Sequence, residues 1–410
     1  MSGGSKAADI LWPAALWLAL LAGICVAWSP RYWAVSVGIT SLGAVAIAWA
    51  LKTAFNRPDP ETNGLPWQSV LVVVIGSWGF LQIAFGTTVI PQLTRYSSIV
   101  WGMDAVAFLL ASQILRERNA RGLFLECLMW SLTVLAVIAM VQFFNQSGVF
   151  GIFQAPDSVF GTFISRNQFA ALMEIGAPVA LWFLLERNFL IGALCYVMIV
   201  AAVITSASRA GFTLVCVELV VFLAIALAQR RRQARTVALT VGGLAALLAM
   251  AAGIAGTDAL QKRFEDSDPY HVRKELLKST LSLIRDRPLT GYGMGTWREA
   301  YPRTATFDAA LLTNEAHNDW AQWTAEGGIG FTILMAILVI SITFPAVRSI
   351  WGLGLLSVMA HSYVDFPLRE PALSLVWFAV AGMAASYAGR QTIGNRRSGE
   401  LSTERSKVSG

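Results

Sequence analysis

Residues 189–228 read FLIGALCYVMIVAAVITSASRAGFTLVCVELVVFLAIALA. Two apolar runs, 189–207 and 209–228, flank a short polar turn that carries one cation, Arg209. Each run has about the 20 residues that an α-helix needs to cross a bilayer core. Within lipid the backbone must satisfy its own hydrogen bonds, so such paired runs read as helices crossing a membrane twice.

The same pattern extends outward in both directions. Apolar runs recur near 10–28, 32–54, 67–85, 96–115, 122–144, 167–186, 236–256, 326–347, 350–364 and 371–388. Together they predict an all-α polytopic integral membrane protein with about twelve spans. The run at 350–364 is short and contains His361. The expected organisation is a transmembrane bundle over 1–256 and a hydrophilic loop over 257–325. Spans follow over 326–388, then a tail over 389–410. Composition agrees: 56% of the 410 residues are apolar or aromatic, 14% are charged, and mean hydropathy is +0.58. A soluble domain has about 25% charged residues. A soluble enzyme, a disordered chain and a disulfide scaffold are therefore excluded. Cys25, Cys127, Cys195 and Cys216 all sit in apolar stretches, as small hydrophobes. The run Ile10 to Trp28 lacks a small-residue cleavage site and reads as a retained first span.

The net charge of +6 suggests nucleic acid only until it is mapped. Arg116, Arg118 and Arg121, then Arg230, Arg231, Arg232 and Arg235, then Arg390, Arg396 and Arg397 fall on alternate connections. The other short connections hold only Arg31, Arg95, Arg166, Arg209 and Arg369. By the positive-inside rule, both termini are expected in the cytoplasm and the 257–325 loop outside. Membrane lipid is the expected contact of the basic segments, and no nucleic-acid partner is expected.

The outer side then collects the chemistry. His271, His317 and His361 all fall there, with Arg166, Arg209, Arg273 and Arg369. Arg209 stands at a span boundary, where a cation either snorkels or meets an anion. Residues 270–287 place Val272, Leu276, Thr280, Leu283 and Ile284 on one helical stripe, which suits an amphipathic helix at the outer interface. Pro288 ends it, and Gly291, Gly293 and Gly295 make a turn; without a preceding strand this is no dinucleotide fingerprint. Trp320 and Trp323 suit a membrane interface, and Glu315, Asn318 and Asp319 surround His317. A solvated ring and a catalytic ring are both open for His317. Asp266 and Asp268 form a DxD, more simply read as solvated loop acids. A zinc site from the three histidines lacks any HExxH or close pair, and no metal is expected. There is no P-loop or GxSxG elbow, and no cofactor is expected.

Several motifs in order resemble one family. These are GTFISRNQFA (161–170), TSASRAG (205–211), Arg273, RPLTGYGMGTW (287–297) and NEAHNDWAQWTAEGGIGF (314–331). The combination resembles the O-antigen ligase and polymerase superfamily over about 160–390, and HSYVDFPLREPA (361–372) resembles its exopolysaccharide-associated members. The resemblance implies a membrane glycosyltransferase fold of the GT-C class in the bacterial inner membrane. It implies transfer of a glycan from undecaprenyl diphosphate to a hydroxyl of a glycan or glycolipid acceptor, on the periplasmic face and without a metal. It makes His317 the catalytic base, Arg209 and Arg273 the diphosphate ligands, and Arg166, Asn318, His361 and Asp365 candidate accessories. The chemistry is coherent. Outside the cytoplasm the donor must arrive activated, and guanidiniums can stabilise a departing diphosphate through forked, charge-assisted hydrogen bonds. A neutral imidazole can deprotonate the acceptor, an effect worth about 10²–10⁴-fold.

Other readings stay open from sequence. A polymerase or a protein O-glycosylating enzyme would differ only in acceptor. A lipid flippase would bind the diphosphate without chemistry, although it needs a polar path. The spans offer few charges for one, chiefly Asp104, Glu126, Glu174 and Glu218.

Overall fold

The computed structural model describes residues 3–29, 32–56, 64–144, 159–229, 234–265, 271–305 and 313–387. Among these the fold is helical throughout, apart from one isolated bridge between Phe160 and Phe163. The order is α1 (Gly3–Val26), α2 (Tyr32–Asn56), α3 (Gln68–Ala84), α4 (Pro91–Ile114), α5 (Arg118–Phe144), α6 (Arg166–Glu186), α7 (Phe189–Thr205), α8 (Arg209–Gln229) and α9 (Ala234–Ala255). Three short helices follow, α10 (Asp258–Phe264), α11 (His271–Asp286) and α12 (Trp297–Ala300). The chain ends in α13 (Asp319–Val347), α14 (Leu353–His361) and α15 (Pro371–Tyr387).

Every apolar run of the sequence is thus helical. Among the described residues five helices are long and apolar enough to cross a membrane by length and composition: α2, α4, α5, α6 and α13. The run at 350–364 forms only a 3₁₀ turn and the nine-residue α14, much shorter than a bilayer-crossing helix. α6 is the axis of the bundle, buried almost continuously from Gln168 to Leu184, and it packs on α5, α7, α8 and α14.

The long helices run alternately up and down, so the connections fall at two ends. At one end Val89 N donates to Tyr292 O (2.9 Å), Asp319 N to Ser362 O (2.9 Å), and Arg209 Nη1 to Arg263 O (2.8 Å). These bonds tie the α3–α4, α7–α8 and α14–α15 connections to the segment between α9 and α13. At the other end Arg118, Arg187, Arg348 and Trp351 line a common hollow.

α13 begins seven residues before the expected span and breaks at Gly328 (φ 77°, ψ 173°). The break is made by the glycine turn after α11. Tyr292 N and Gly293 N donate to Ala325 O and Glu326 O (both 2.9 Å), and Ile329 N donates to Pro288 O (2.8 Å). A Cβ at Gly328 would lie 2.1 Å from Leu289 O, and one at Gly291 2.2 Å from Glu326 O. Both glycines are therefore steric requirements of a backbone-to-backbone seam. α11 is amphipathic as its stripe predicts, but its buried face (Leu276, Ser279, Thr280, Leu283) covers a small protein core with Trp297, Tyr301 and Ala325. Trp323 also departs from an interfacial role: it is fully buried and meets Trp101 edge-on at 6.0 Å.

Candidate active site

Two helix starts, those of α6 and α8, converge at the connection-rich end. In the TSASRAG turn Ser208 Oγ accepts from Gly211 N (3.3 Å), while Ala207 takes φ 53° to reverse the chain. Gly211 lets α8 approach α6 closely, since a Cβ there would lie 2.6 Å from the Ala170 methyl. Arg209 is consequently the first residue of α8, as Arg166 is of α6. The positive ends of both helix dipoles and two guanidiniums point toward one region, an arrangement that favours an anion.

That region is a cleft of ≈ 290 Å³. Among the described residues Arg166, Arg209, Arg263 and Arg273 line it, with Asn167 and a single carboxylate, Asp365. Four guanidiniums against one carboxylate leave the cleft strongly cationic. Arg263, from α10, has no counterpart among the residues expected from sequence.

Asp365 is the centre of the polar network, with its side chain only 4% exposed. Its Oδ1 faces His317 Nδ1 at 3.1 Å and accepts from Phe366 N at 3.0 Å. Its Oδ2 accepts from Arg273 Nη2 at 2.9 Å and from Asn167 Nδ2. Arg273 Nη1 donates to Val364 O at 2.7 Å, so this guanidinium pins the α14–α15 connection while also facing the cleft. Burial opposes ionisation of Asp365. The His317 hydrogen bond and the Arg273 charge outweigh it and hold the carboxyl down at about 2. An ionised Asp365 can only accept, so His317 Nδ1 is the donor of this hydrogen bond, and in the neutral form of the ring the lone pair is on Nε2.

His317 is held in a left-handed conformation, φ 53°. For a non-glycine residue this costs on the order of 1–3 kcal/mol and persists only where the surroundings enforce it. Here they do. Asn318 caps α13 by accepting from Ala321 N (2.9 Å) and donating to Tyr363 O (2.9 Å). Phe366 meets the His317 ring edge-on at 4.7 Å. The imidazole stays about one-third exposed.

Behind the network Arg369 is buried among carboxylates. Its Nη2 donates to Glu326 Oε2 (2.5 Å), and its Nε lies 3.8 Å from Glu315 and 3.9 Å from Asp319. Glu326 also accepts from Gly295 N (3.0 Å) and Trp297 N (3.2 Å), which locks the glycine turn to the break in α13.

Asp365, Arg273, Arg209 and Arg166 are therefore brought to one cleft, and His317 adjoins it through Asp365, with Asn318 capping the helix that follows. His361 is elsewhere: it is wholly buried, with Nδ1 2.7 Å from Glu174 Oε1. Asn167 and Arg263 are the participants that sequence reasoning missed. Asn167 lies inside a quoted motif beside Arg166, and no local signal sets Arg263 apart from the other cations of the 257–325 segment. Among the described residues no three His, Cys, Asp or Glu side chains converge as a metal would require.

Residues 193–336 match the family model of the O-antigen ligase. The match bears out the resemblance to the O-antigen ligase and polymerase superfamily. Arg209, Arg273 and His317 lie within the matched stretch; Arg166, His361 and Asp365 lie outside it. The family suggests a ligase- or polymerase-type function on lipid-linked glycans in a membrane. No curated protein matches the chain.

Proposed function

We propose that this protein is an inner-membrane glycosyltransferase of the GT-C class, with about twelve spans, both termini in the cytoplasm and the cleft open to the periplasm. Its donor is a glycan on undecaprenyl diphosphate, and its acceptor is a hydroxyl of a glycan or glycolipid. The observation that carries this reading is the Asp365–His317 pair standing at a cleft lined by four arginines.

In this reading the acceptor oxygen attacks the anomeric carbon and the bond to the diphosphate oxygen breaks. His317 Nε2 takes the hydroxyl proton, and Asp365 stabilises the imidazolium that forms. Arg209, with Arg166 and Arg263, meets the charge that develops on the departing lipid diphosphate. Arg273 joins them from α11 while keeping Asp365 in place. Guanidiniums supply the electrostatic stabilisation that a metal supplies in other transferases.

The test is a reconstituted assay with lipid-diphosphate glycan and candidate acceptors, run with and without chelator. His317→Ala should keep its fold and donor binding but lose about 10²–10⁴-fold in transfer. Chelator should change nothing. An unimpaired variant removes the base from His317. Loss on chelation with rescue by zinc overturns the metal-free mechanism. Lipid movement without glycan transfer makes the protein a flippase. Products of repeated donor addition identify a polymerase, and single additions to a distinct acceptor identify a ligase.

A further inference from the structure

A hollow of ≈ 840 Å³ lies at the end opposite the cleft, within the range of roughly 300–1,000 Å³ typical of ligand sites. Four arginines from three separate connections line it: Arg118 and Arg121 at the start of α5, Arg187 between α6 and α7, and Arg348 after α13. Among the described residues Glu186 is the one carboxylate in the lining. Glu126, outside the lining, pairs with Arg187 at 3.1 Å.

Several of these cations are arranged by aromatic rings. Arg121 lies over Tyr387 at 4.8 Å, Arg187 over Trp182 at 5.9 Å, and Arg348 over Phe344 at 3.8 Å. Such stacking fixes a guanidinium plane at low entropic cost and leaves its edge for hydrogen bonding. The first turn of α5, a 27-residue helix, adds its positive dipole end. Leu125, Ile225 and Val347 supply an apolar wall beside the cations. Cations beside an apolar wall, with Trp182 and Trp351 in the lining, are the complement of a phosphate joined to hydrocarbon. Loop arginines that merely anchored a topology would have no need to converge on one concavity.

We propose that this hollow is a binding site for the phosphate headgroup of an anionic membrane phospholipid. The acyl chains lie along the apolar wall. The site is separate from the cleft and does not depend on the proposed transfer reaction.

The experiment uses the full chain purified in detergent and analysed by native mass spectrometry. The probes are phosphatidylglycerol, phosphatidylcholine, an undecaprenyl diphosphate and inorganic phosphate. Phosphatidylglycerol should be retained in preference to phosphatidylcholine. The doubly substituted Arg118→Gln/Arg348→Gln protein should lose about tenfold or more in that retention, because each cation near a lipid surface contributes about 1 kcal/mol. Both residues are exposed, so the variant should keep the wild-type melting transition. If it does not, the single substitutions are measured instead, each with a smaller loss expected. Arg209→Ala, at the other end, should retain phosphatidylglycerol fully. Equal retention of the two phospholipids, or retention unaffected by every Arg118 and Arg348 variant, overturns the proposal. So does binding of inorganic phosphate without phospholipid, or preferential capture of the undecaprenyl diphosphate by Arg118 and Arg348.

Discussion

The molecule contains two histidine–carboxylate pairs of nearly the same chemistry. His317 faces Asp365 at 3.1 Å and His361 faces Glu174 at 2.7 Å, each through Nδ1. Their surroundings differ. The His317 ring is 33% exposed beside the arginine-lined cleft, whereas His361 and Glu174 are both 0% exposed inside the bundle. A carboxylate on Nδ1 orients an imidazole in either place; only access lets Nε2 meet an acceptor. In the proposed mechanism the exposed pair transfers the proton, while the buried pair joins α6 to α14.

Substitutions can break that contrast, and the largest effect belongs to the cleft. His317→Ala should lose transfer as described above while its melting temperature stays close to wild type. His361→Ala should do the reverse, destabilising the fold by about 3–5 kcal/mol because it strands Glu174 without its partner. Thermal unfolding and transfer measured on both variants give the comparison. A stable but inactive His361→Ala protein would move the catalytic assignment inward.

Asp365→Asn tests the orienting carboxylate. An amide can present its N–H to Nδ1 and select the wrong tautomer, so transfer should fall on the order of 10²-fold or more with little change in donor binding. Near-wild-type transfer would leave His317 without need of its partner.

The same residue predicts a pH dependence. The folded Asp365 carboxyl sits at about 2, below the roughly 3.9 of an unfolded chain. Its folded value is depressed, so its contribution, on the order of 2 kcal/mol, is fully present above about pH 4. It is lost as pH falls toward 2. The stability gap between wild type and Asp365→Asn should therefore be constant from about pH 6 to 5 and close on further acidification. A gap that persists unchanged to about pH 3 would show that Asp365 acts through shape rather than charge.

The smallest difference is expected within the cleft itself. Arg209→Lys should impair transfer nearly as much as Arg209→Ala, because a point charge does not reproduce a forked guanidinium. Full activity of the lysine variant would reduce Arg209 to a generic cation at the end of a span.

Much of this was legible in local sequence. Each apolar run became a helix because a chain so poor in charge must satisfy its backbone internally. The α11 stripe is a property of 16 consecutive residues, and the breaker Pro288 with its glycines follows directly. His317, Arg209 and Arg273 were legible because they fall in motif-bearing polar stretches between apolar ones. Periodicity has a reach of a few turns, and the rest lay beyond it. Nothing near His317 in sequence indicates that its partner is Asp365, 48 residues away, or that Asn167 joins them across 198 residues. His361 ends an apolar run and His317 stands in a polar stretch, but nothing local shows that His361 turns wholly inward to Glu174, 187 residues away. Those assignments were made when α6 took the centre of the bundle and α11 and α13 closed over its N-terminal end. Sequence by itself determined which segments are helical and which residue types carry the chemistry, because both depend on short-range pattern and composition. Tertiary structure alone decided which histidine is exposed, which carboxylate faces it and which arginines share a cleft with that carboxylate, because those are distances between segments that only packing brings together.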